Sequence, residues 1–137
     1  MMSFAAIVLA AAAASTPPSC FTMHDEAKMV FFESGSADFR KYTPDVLGEA
    51  VRIGREEHYL REIVTGYCDT DESAAGMCPA LAQHRAQAVK AALVKLGMKA
   101  KRIEVFTRTD PLNPDDPREN RRVVIEPILP PDGCPGP

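Results

Sequence analysis

Hydrophobic positions in this chain follow two spacings, which predict strands and helices in alternation. Short apolar or alternating runs flanked by turn residues indicate strands. Apolar residues that recur every three or four positions indicate amphipathic helices, and the first helix is predicted to begin with Thr43 as its N-cap and Pro44 in its first turn. The predicted elements in order are a strand at 28–32, a helix from 43 to about 54, a strand at 60–65, a helix from about 79 to 96, and strands at 102–106 and 121–128.

This order of elements predicts an α/β sandwich in which two helices pack against one sheet. The helix from Pro79 to Leu96 is the clearest element, because its apolar residues fall on one side and Gly97 supplies a C-terminal stop. Residues 67–77, which precede this helix, are rich in turn-forming residues and are predicted to form a loop. A chain of 137 residues has room for one compact domain.

The first residues resemble a segment that is removed on export. Phe4 to Ala14 is an unbroken run of apolar and small residues, as in a secretory signal with a small-residue cleavage site. The run is too short to cross a membrane, which takes about 20 residues. We therefore expect a signal peptide at 1–14, an N-terminal extension at 15–27, a folded domain at 28–128 and a C-terminal tail at 129–137, with no transmembrane span in the mature chain. Because no Lys or Arg precedes Phe4, a shifted start of the chain is the alternative.

The charge of the chain argues against one large class of partner. The formal net charge is −3 at pH 7, and the Lys and Arg residues are scattered rather than clustered. Such a chain lacks the basic surface that gathers phosphates, so no nucleic-acid partner is expected. The aspartates between 110 and 116 are interrupted by prolines, which breaks the spacing of a calcium loop. We expect no metal and no other cofactor.

Export would place the four cysteines in an oxidising compartment, where an even set most often forms disulfides. Three pairings of Cys20, Cys68, Cys78 and Cys134 are possible. We favour a bond between Cys20 and Cys134, which would join the two ends of the domain. Cys68 and Cys78 would then close a short loop. A zinc site is the alternative, but the chain has no Cys-x-x-Cys pair and its histidines are dispersed.

Arg85 is the residue that departs from the amphipathic pattern. It follows Leu81 by four positions and precedes Val89 by four, so its side chain is expected on the packed side of the second helix. A buried guanidinium needs a carboxylate partner, because burial without one costs on the order of several kcal/mol. Asp69 and Asp71, in the preceding loop, are the candidates. Either one of them forms an internal salt bridge with Arg85, or an Asp and Arg85 stand apart and hold the ammonium and carboxylate of an amino acid.

Four fragments of the sequence resemble the OmpA-like domain family in their order and spacing. They are Gly-Tyr-Cys-Asp at 66–69, Leu-Ala-Gln-His-Arg-Ala at 81–86, Arg-Ile at 102–103 and Asn-Arg-Arg-Val-Val-Ile at 120–125. The corresponding family patterns are Gly-His/Tyr-Thr-Asp, Leu-Ser-x-x-Arg-Ala, Arg-Ile and Asn-Arg-Arg-Val-x-Ile. The resemblance covers residues 29–128. It implies a core with the order βαβαββ, in which two helices pack against one mixed sheet.

The resemblance also implies a function. OmpA-like domains are non-catalytic modules of the bacterial periplasm that bind peptidoglycan through the diaminopimelate of its stem peptide. The family positions that hold the ammonium and the carboxylate of this ligand correspond to Asp69 and Arg85. Of the paired arginines Arg121 and Arg122, the second is a further candidate contact. The resemblance therefore implies a periplasmic protein associated with the cell wall or outer membrane, with peptidoglycan and envelope proteins as partners and no enzymatic activity.

Departures from the family pattern leave alternatives open. Cys68 and Cys78 replace a Thr and an Asn of the family motifs, which suggests that they are neighbours joined by a disulfide. The loop before Arg85 is one residue longer than in the family, so Asp71 could take the acidic role from Asp69. A degenerate pocket would leave a structural or protein-interaction module. A thiol oxidoreductase is a further alternative, although the two cysteines do not have Cys-x-x-Cys spacing.

Overall fold

The computed structural model describes residues 22–23, 27–109 and 115–130 and contains one mixed sheet with two long helices packed against one face. The strands are β1 (Thr22–Met23), β2 (Lys28–Phe31), β3 (Arg61–Tyr67), β4 (Ile103–Arg108) and β5 (Arg122–Leu129). The helices are α1 (Thr43–Glu56), α2 (Thr70–Ala74), α3 (Ala80–Lys95) and α4 (Pro117–Asn120), with a 3₁₀ turn at Ala100–Arg102. The predicted α/β fold, with its four main strands and two long helices in order, is confirmed.

β5 runs through the middle of the sheet. It pairs antiparallel with β3 on one side and with β1 and β2 on the other, while β3 and β4 are parallel. Parallel neighbours need a crossover connection, and α3 provides it between β3 and β4. The carboxyl end of β3 therefore leads directly into α2 and the start of α3, and this end of the sheet carries the predicted site.

The core lies between the sheet and the helices α1 and α3. Val64 of β3 and Ile125 of β5 are fully buried there, together with Val89 of α3. Successive side chains of a strand point to opposite faces. Tyr67 and Arg122 therefore lie on the outer face of the sheet, away from the long helices.

Three local features differ from the prediction. α1 begins at Thr43 itself with Tyr42 as the N-cap, and the hydroxyl of Thr43 instead accepts a hydrogen bond from the backbone N–H of Arg40 (3.1 Å). β3 does not stop at Gly66, because Gly66 remains paired with strands on both sides. The segment 67–77, predicted to be a loop, contains the short helix α2, so that prediction was wrong.

Several predictions concern residues that the structure does not describe. The predicted signal peptide, most of the predicted extension and tail, and the bond between Cys20 and Cys134 lie outside the described residues. The division of the chain at these boundaries therefore stays a prediction. The predicted bond between Cys68 and Cys78 is present. Within the described ranges, no helix combines the length and the apolar character that crossing a membrane requires.

Gly66 allows α3 to approach the end of β3. A Cβ atom at this position would lie 2.0 Å from the backbone oxygen of Ala82, in the first turn of α3. We expect Gly66→Ala to lower the free energy of unfolding by about 1–3 kcal/mol, because the obstructing atom is backbone and the helix would have to shift. Urea unfolding followed by circular dichroism measures this change.

Gly48→Ala, on the exposed side of α1, is the control for that substitution. A Cβ atom at Gly48 meets nothing within 4 Å, and alanine favours a helix over glycine by about 1 kcal/mol. The control is therefore expected to be slightly more stable than the wild type. An unchanged unfolding midpoint for Gly66→Ala would contradict the close packing of α3 on β3.

Candidate functional site

Arg85 points from α3 into the protein interior, as its spacing predicted. Its side chain is 0% exposed, and its guanidinium lies against the ring of Phe32, with Cζ 5.3 Å from the ring centroid. Leu81 and Val89, one turn before and one turn after Arg85, are also buried, which is the consequence of helical spacing. A guanidinium in this position has to find its hydrogen-bond partners inside the protein or on a ligand.

The ion-pair partner of Arg85 is Glu72. Nη1 of Arg85 donates to Oε1 of Glu72 (2.8 Å) and Nη2 donates to Oε2 (2.5 Å), which makes a two-bond fork. The remaining donors bond to backbone carbonyls: Nε to Ser36 (2.8 Å), Nη1 to Tyr67 (3.1 Å) and Nη2 to Glu33 (3.1 Å). A guanidinium has five N–H groups, so all of them are used within the protein.

The carboxylate of Glu72, like the guanidinium of Arg85, has its hydrogen-bond partners within the protein. Besides the two bonds from Arg85, it accepts hydrogen bonds from the backbone N–H groups of Gly35 (2.7 Å) and Asp69 (3.0 Å). Burial by itself would raise the pKa of the Glu72 carboxyl, but the bonds from Arg85, Asp69 and Gly35 outweigh it and hold that pKa below its usual value. Glu72 is therefore ionised at neutral pH and neutralises Arg85.

Asp69 is the N-cap of α2, and its carboxylate forms hydrogen bonds with groups other than Arg85. Its Oδ1 accepts the backbone N–H of Glu72 (2.6 Å), and the Glu72 side chain accepts the backbone N–H of Asp69, which makes a capping box. Its Oδ2 accepts a hydrogen bond from Nη1 of Arg121 (3.2 Å). Asp69 and Arg85 lie at the same end of the sheet, but among the ion pairs of the described residues each has a different partner.

The other two predicted contacts lie apart from this network. Asp71 is exposed in the first turn of α2. Arg122 lies on the outer face of the sheet, with its guanidinium 5.8 Å from the ring centroid of Tyr67. Of the paired arginines, the structure brings Arg121 to Asp69 and leaves Arg122 on the other face. The contact of Arg122 with a ligand therefore stays a prediction, and a ligand at Asp69 would lie nearer to Arg121.

Glu72 is not among the predicted site residues, although the sequence contains a signal for it. Asp69 and Glu72 have the Asp-x-x-Glu spacing of a capping box, which predicts a helix start and turns the Glu side chain back toward the Asp. An interpretation of this segment as a loop leaves only Asp69 and Asp71 as candidate partners of Arg85. The internal salt bridge exists, but its acidic member is Glu72.

The disulfide between Cys68 and Cys78 encloses α2. The two Cα atoms are 6.5 Å apart and ten positions separate them in the sequence. The bond therefore fixes both ends of the segment that carries Asp69 and Glu72. Cys68 is buried and Cys78 is half-buried.

An open cleft lies beside Arg121. This cavity of about 270 Å³ is lined by Arg121 together with Phe31, Phe32, Glu33, Arg40, Arg118 and Glu119. Arg121 thus contacts the cleft and the buried Asp69 at the same time.

Most of the chain matches the model of one protein family. The model of the OmpA family matches residues 31–124. The chain belongs to the OmpA family. The match spans β3, α2 and α3, so the buried network of Arg85, Glu72 and Asp69 lies within the OmpA-family region. No curated protein matches the chain closely enough to be counted as a relative.

Solved structures share the fold of this OmpA-family chain. The OmpA-like domain of FopA1 from Francisella tularensis subsp. tularensis SCHU S4 has a TM-score of 0.67 and 22% identity, over 81% of this chain and 79% of that chain. The cell wall anchor of the T6SS from Pseudomonas aeruginosa has a TM-score of 0.63 and 24% identity, over 80% and 88%. The peptidoglycan-associated lipoprotein from Burkholderia pseudomallei has a TM-score of 0.60 and 21% identity, over 74% and 88%. At these identities the structural similarity shows a shared fold alone.

Proposed function

We propose that this chain is a non-catalytic module that associates with peptidoglycan and takes the diaminopimelate of the stem peptide between Asp69 and Arg85. Its membership of the OmpA family supports this, as do two similar structures named as a peptidoglycan-associated lipoprotein and a cell wall anchor. The observation that carries the proposal is the placement of Asp69 and Arg85. The side chains of both residues are buried near the carboxyl end of β3, so that an acidic and a basic group lie at the same end of the sheet.

We infer that the module works in the periplasm, next to the cell wall or outer membrane, with envelope proteins as further partners. The apolar run at the start of the chain, typical of an export signal, supports this location. So does the disulfide between Cys68 and Cys78, because such bonds persist in oxidising compartments.

The closed hydrogen bonding of the site supports a second candidate function. Arg85 and Asp69 already have internal partners in Glu72 and Arg121. Charged groups that are paired within the protein can stabilise the fold without binding a ligand. The chain would then be a structural or protein-interaction module on an OmpA-like scaffold.

Retention on purified peptidoglycan sacculi separates the two functions. We expect the wild type to sediment with sacculi, and Asp69→Asn and Arg85→Lys to be retained at least about tenfold less. Asn still caps a helix, and Lys keeps the charge while losing the two-bond fork, so both variants are expected to fold. Circular dichroism verifies folding before each assay.

Two further variants, one control and one test of the alternative acidic residue, belong to the same assay. Arg108→Lys makes the same exchange at an exposed position on β4 and is expected to be retained like the wild type. Asp71→Asn tests the alternative acidic contact. Equal retention of the wild type, Asp69→Asn and Arg85→Lys would refute the proposed site and favour the structural module.

A further inference from the structure

Arg85 and Asp69, the two residues proposed to hold a zwitterionic ligand, each have a charged side-chain partner within this protein. The carboxylate of Glu72 lies on Arg85 in a two-bond fork, and the guanidinium of Arg121 contacts Asp69. Together they present a negative group to the basic residue and a positive group to the acidic one, which is the charge arrangement of a free amino acid. We propose that Glu72 and Arg121 are internal competitors, and that a zwitterionic ligand binds only by displacing both, an inference that rests on the proposed function.

Competition at Arg85 is direct, because its guanidinium has no free donor. Three of its five bonds go to backbone carbonyls, which are fixed by the strand end and by the segment between β2 and α1. The other two go to the Glu72 side chain. Glu72 is thus the one side-chain partner of Arg85, and its rotation would also break the bonds that its carboxylate accepts from the backbone N–H groups of Gly35 and Asp69. A ligand carboxylate would take over its fork on Arg85.

Competition at Asp69 involves a longer and more accessible contact. Arg121 donates to Oδ2 of Asp69 at 3.2 Å and its side chain is 16% exposed. Because Arg121 also lines the open cleft of about 270 Å³, it has space into which it can rotate. That rotation would also break the hydrogen bond from Nε of Arg121 to the carbonyl of Phe32 (3.2 Å), and it would free Oδ2 of Asp69 for a ligand ammonium.

The helix α2 is held to the domain through one buried side chain. It has five residues, and Glu72 is the one that is buried. Segments with few buried contacts open most readily, without unfolding of the rest of the domain. The disulfide between Cys68 and Cys78 holds both ends of this segment, so the movement is confined to α2. When only a fraction of molecules is open, the apparent affinity falls by that fraction, and Glu72 would therefore set the affinity of the site.

Calorimetric titration of the folded wild type and of Glu72→Gln with meso-diaminopimelate at pH 7 tests this inference. Gln keeps the size of the side chain but removes the charge that competes for Arg85. We expect Glu72→Gln to bind at least about tenfold more tightly than the wild type. Arg121→Gln, which removes the competitor of the ammonium, is expected to bind several-fold more tightly and carries the test if Glu72→Gln does not fold.

The control is Asp45→Asn, which removes an exposed acidic charge from the first turn of α1 and should bind like the wild type. The double variant Glu72→Gln, Arg85→Lys should lose the gain. Equal affinities of the wild type, Glu72→Gln and Arg121→Gln, with binding that still depends on Arg85, would overturn the internal competition and leave the proposed function standing. Absence of binding by every variant, to diaminopimelate and to sacculi, would overturn both.

Discussion

Arg85→Ala is expected to lower the free energy of unfolding by about 3–5 kcal/mol. The substitution leaves the Glu72 carboxylate buried without a counter-charge, and removing one member of a buried ion pair has a cost of this order. It also withdraws donors from the carbonyls of Glu33, Ser36 and Tyr67, and unmade bonds of buried groups add to the loss. Because a small domain is stable by about 5–15 kcal/mol in total, the urea midpoint should fall steeply.

Arg61→Ala is the matched control for this stability measurement. Arg61 pairs with Glu104 at 2.7 Å, but the two side chains are 45% and 40% exposed. Exposed pairs contribute less than about 1 kcal/mol, so the control should remain close to the wild type. If Arg85→Ala shifted the midpoint no more than Arg61→Ala, the closed network around Arg85 would not contribute to folding as described.

The contribution of the Glu72–Arg85 pair to the stability of the protein depends on pH. The pKa of Glu72 is lowered in the folded state relative to its ordinary value of 4.5. Its contribution to stability is therefore present above about pH 4.5 and is lost as the pH falls through the folded pKa. Arg85→Ala lacks the part of this contribution that comes from Arg85. The difference in stability between the wild type and Arg85→Ala should accordingly shrink in acid.

The main elements of the fold could be predicted because their hydrophobic spacing is regular. α3 carries apolar residues on one side, and the parallel pairing of β3 with β4 follows from the helix between them. The shorter elements α2 and α4 have five and four residues and show no periodicity that could reveal them. Local capping residues mark them instead, as the Asp-x-x-Glu spacing from Asp69 to Glu72 does.

The candidate site was predictable in part for the same reason. Helical spacing placed Arg85 inside correctly, because the period of a long helix is unambiguous over several turns. The partner of Arg85 depended on the conformation of a five-residue segment, and spacing in sequence does not determine that. The choice between Arg121 and Arg122 depended on a one-residue register, and a shift of one residue exchanges the faces of a strand.

Glu62 is a buried carboxyl group at the opposite end of β3 from the site. It shares the helix-facing side of the strand with Val64 and Gly66, and the residue is 1% exposed. Its Oε2 has no hydrogen-bond partner in the described part of the chain. Burial raises the pKa of the Glu62 carboxyl to about 8, because a carboxylate there would lose its hydration without gaining a partner.

Glu62→Gln is therefore expected to stabilise the protein at neutral and basic pH. A folded pKa of about 8 against an ordinary value of 4.5 means that the folded state retains the proton. The contribution of Glu62 to the stability of the wild type is then fully present below about pH 4.5 and is lost as the pH rises through about 8. At about 1.4 kcal/mol per pH unit, the loss by pH 7 is on the order of 3 kcal/mol.

Urea unfolding at pH 5, pH 7 and pH 8.5 measures this effect. Because Gln has a similar shape and cannot ionise, the midpoint of Glu62→Gln should stay level over a range in which that of the wild type falls. Glu104→Gln removes the same charge from the surface of the neighbouring strand β4, and its profile should follow the wild type. This window lies above the acid range in which Glu72 titrates, so the two carboxyl groups can be separated. Parallel profiles of the wild type and Glu62→Gln would show that Glu62 is hydrated in the folded protein and is not buried without a partner.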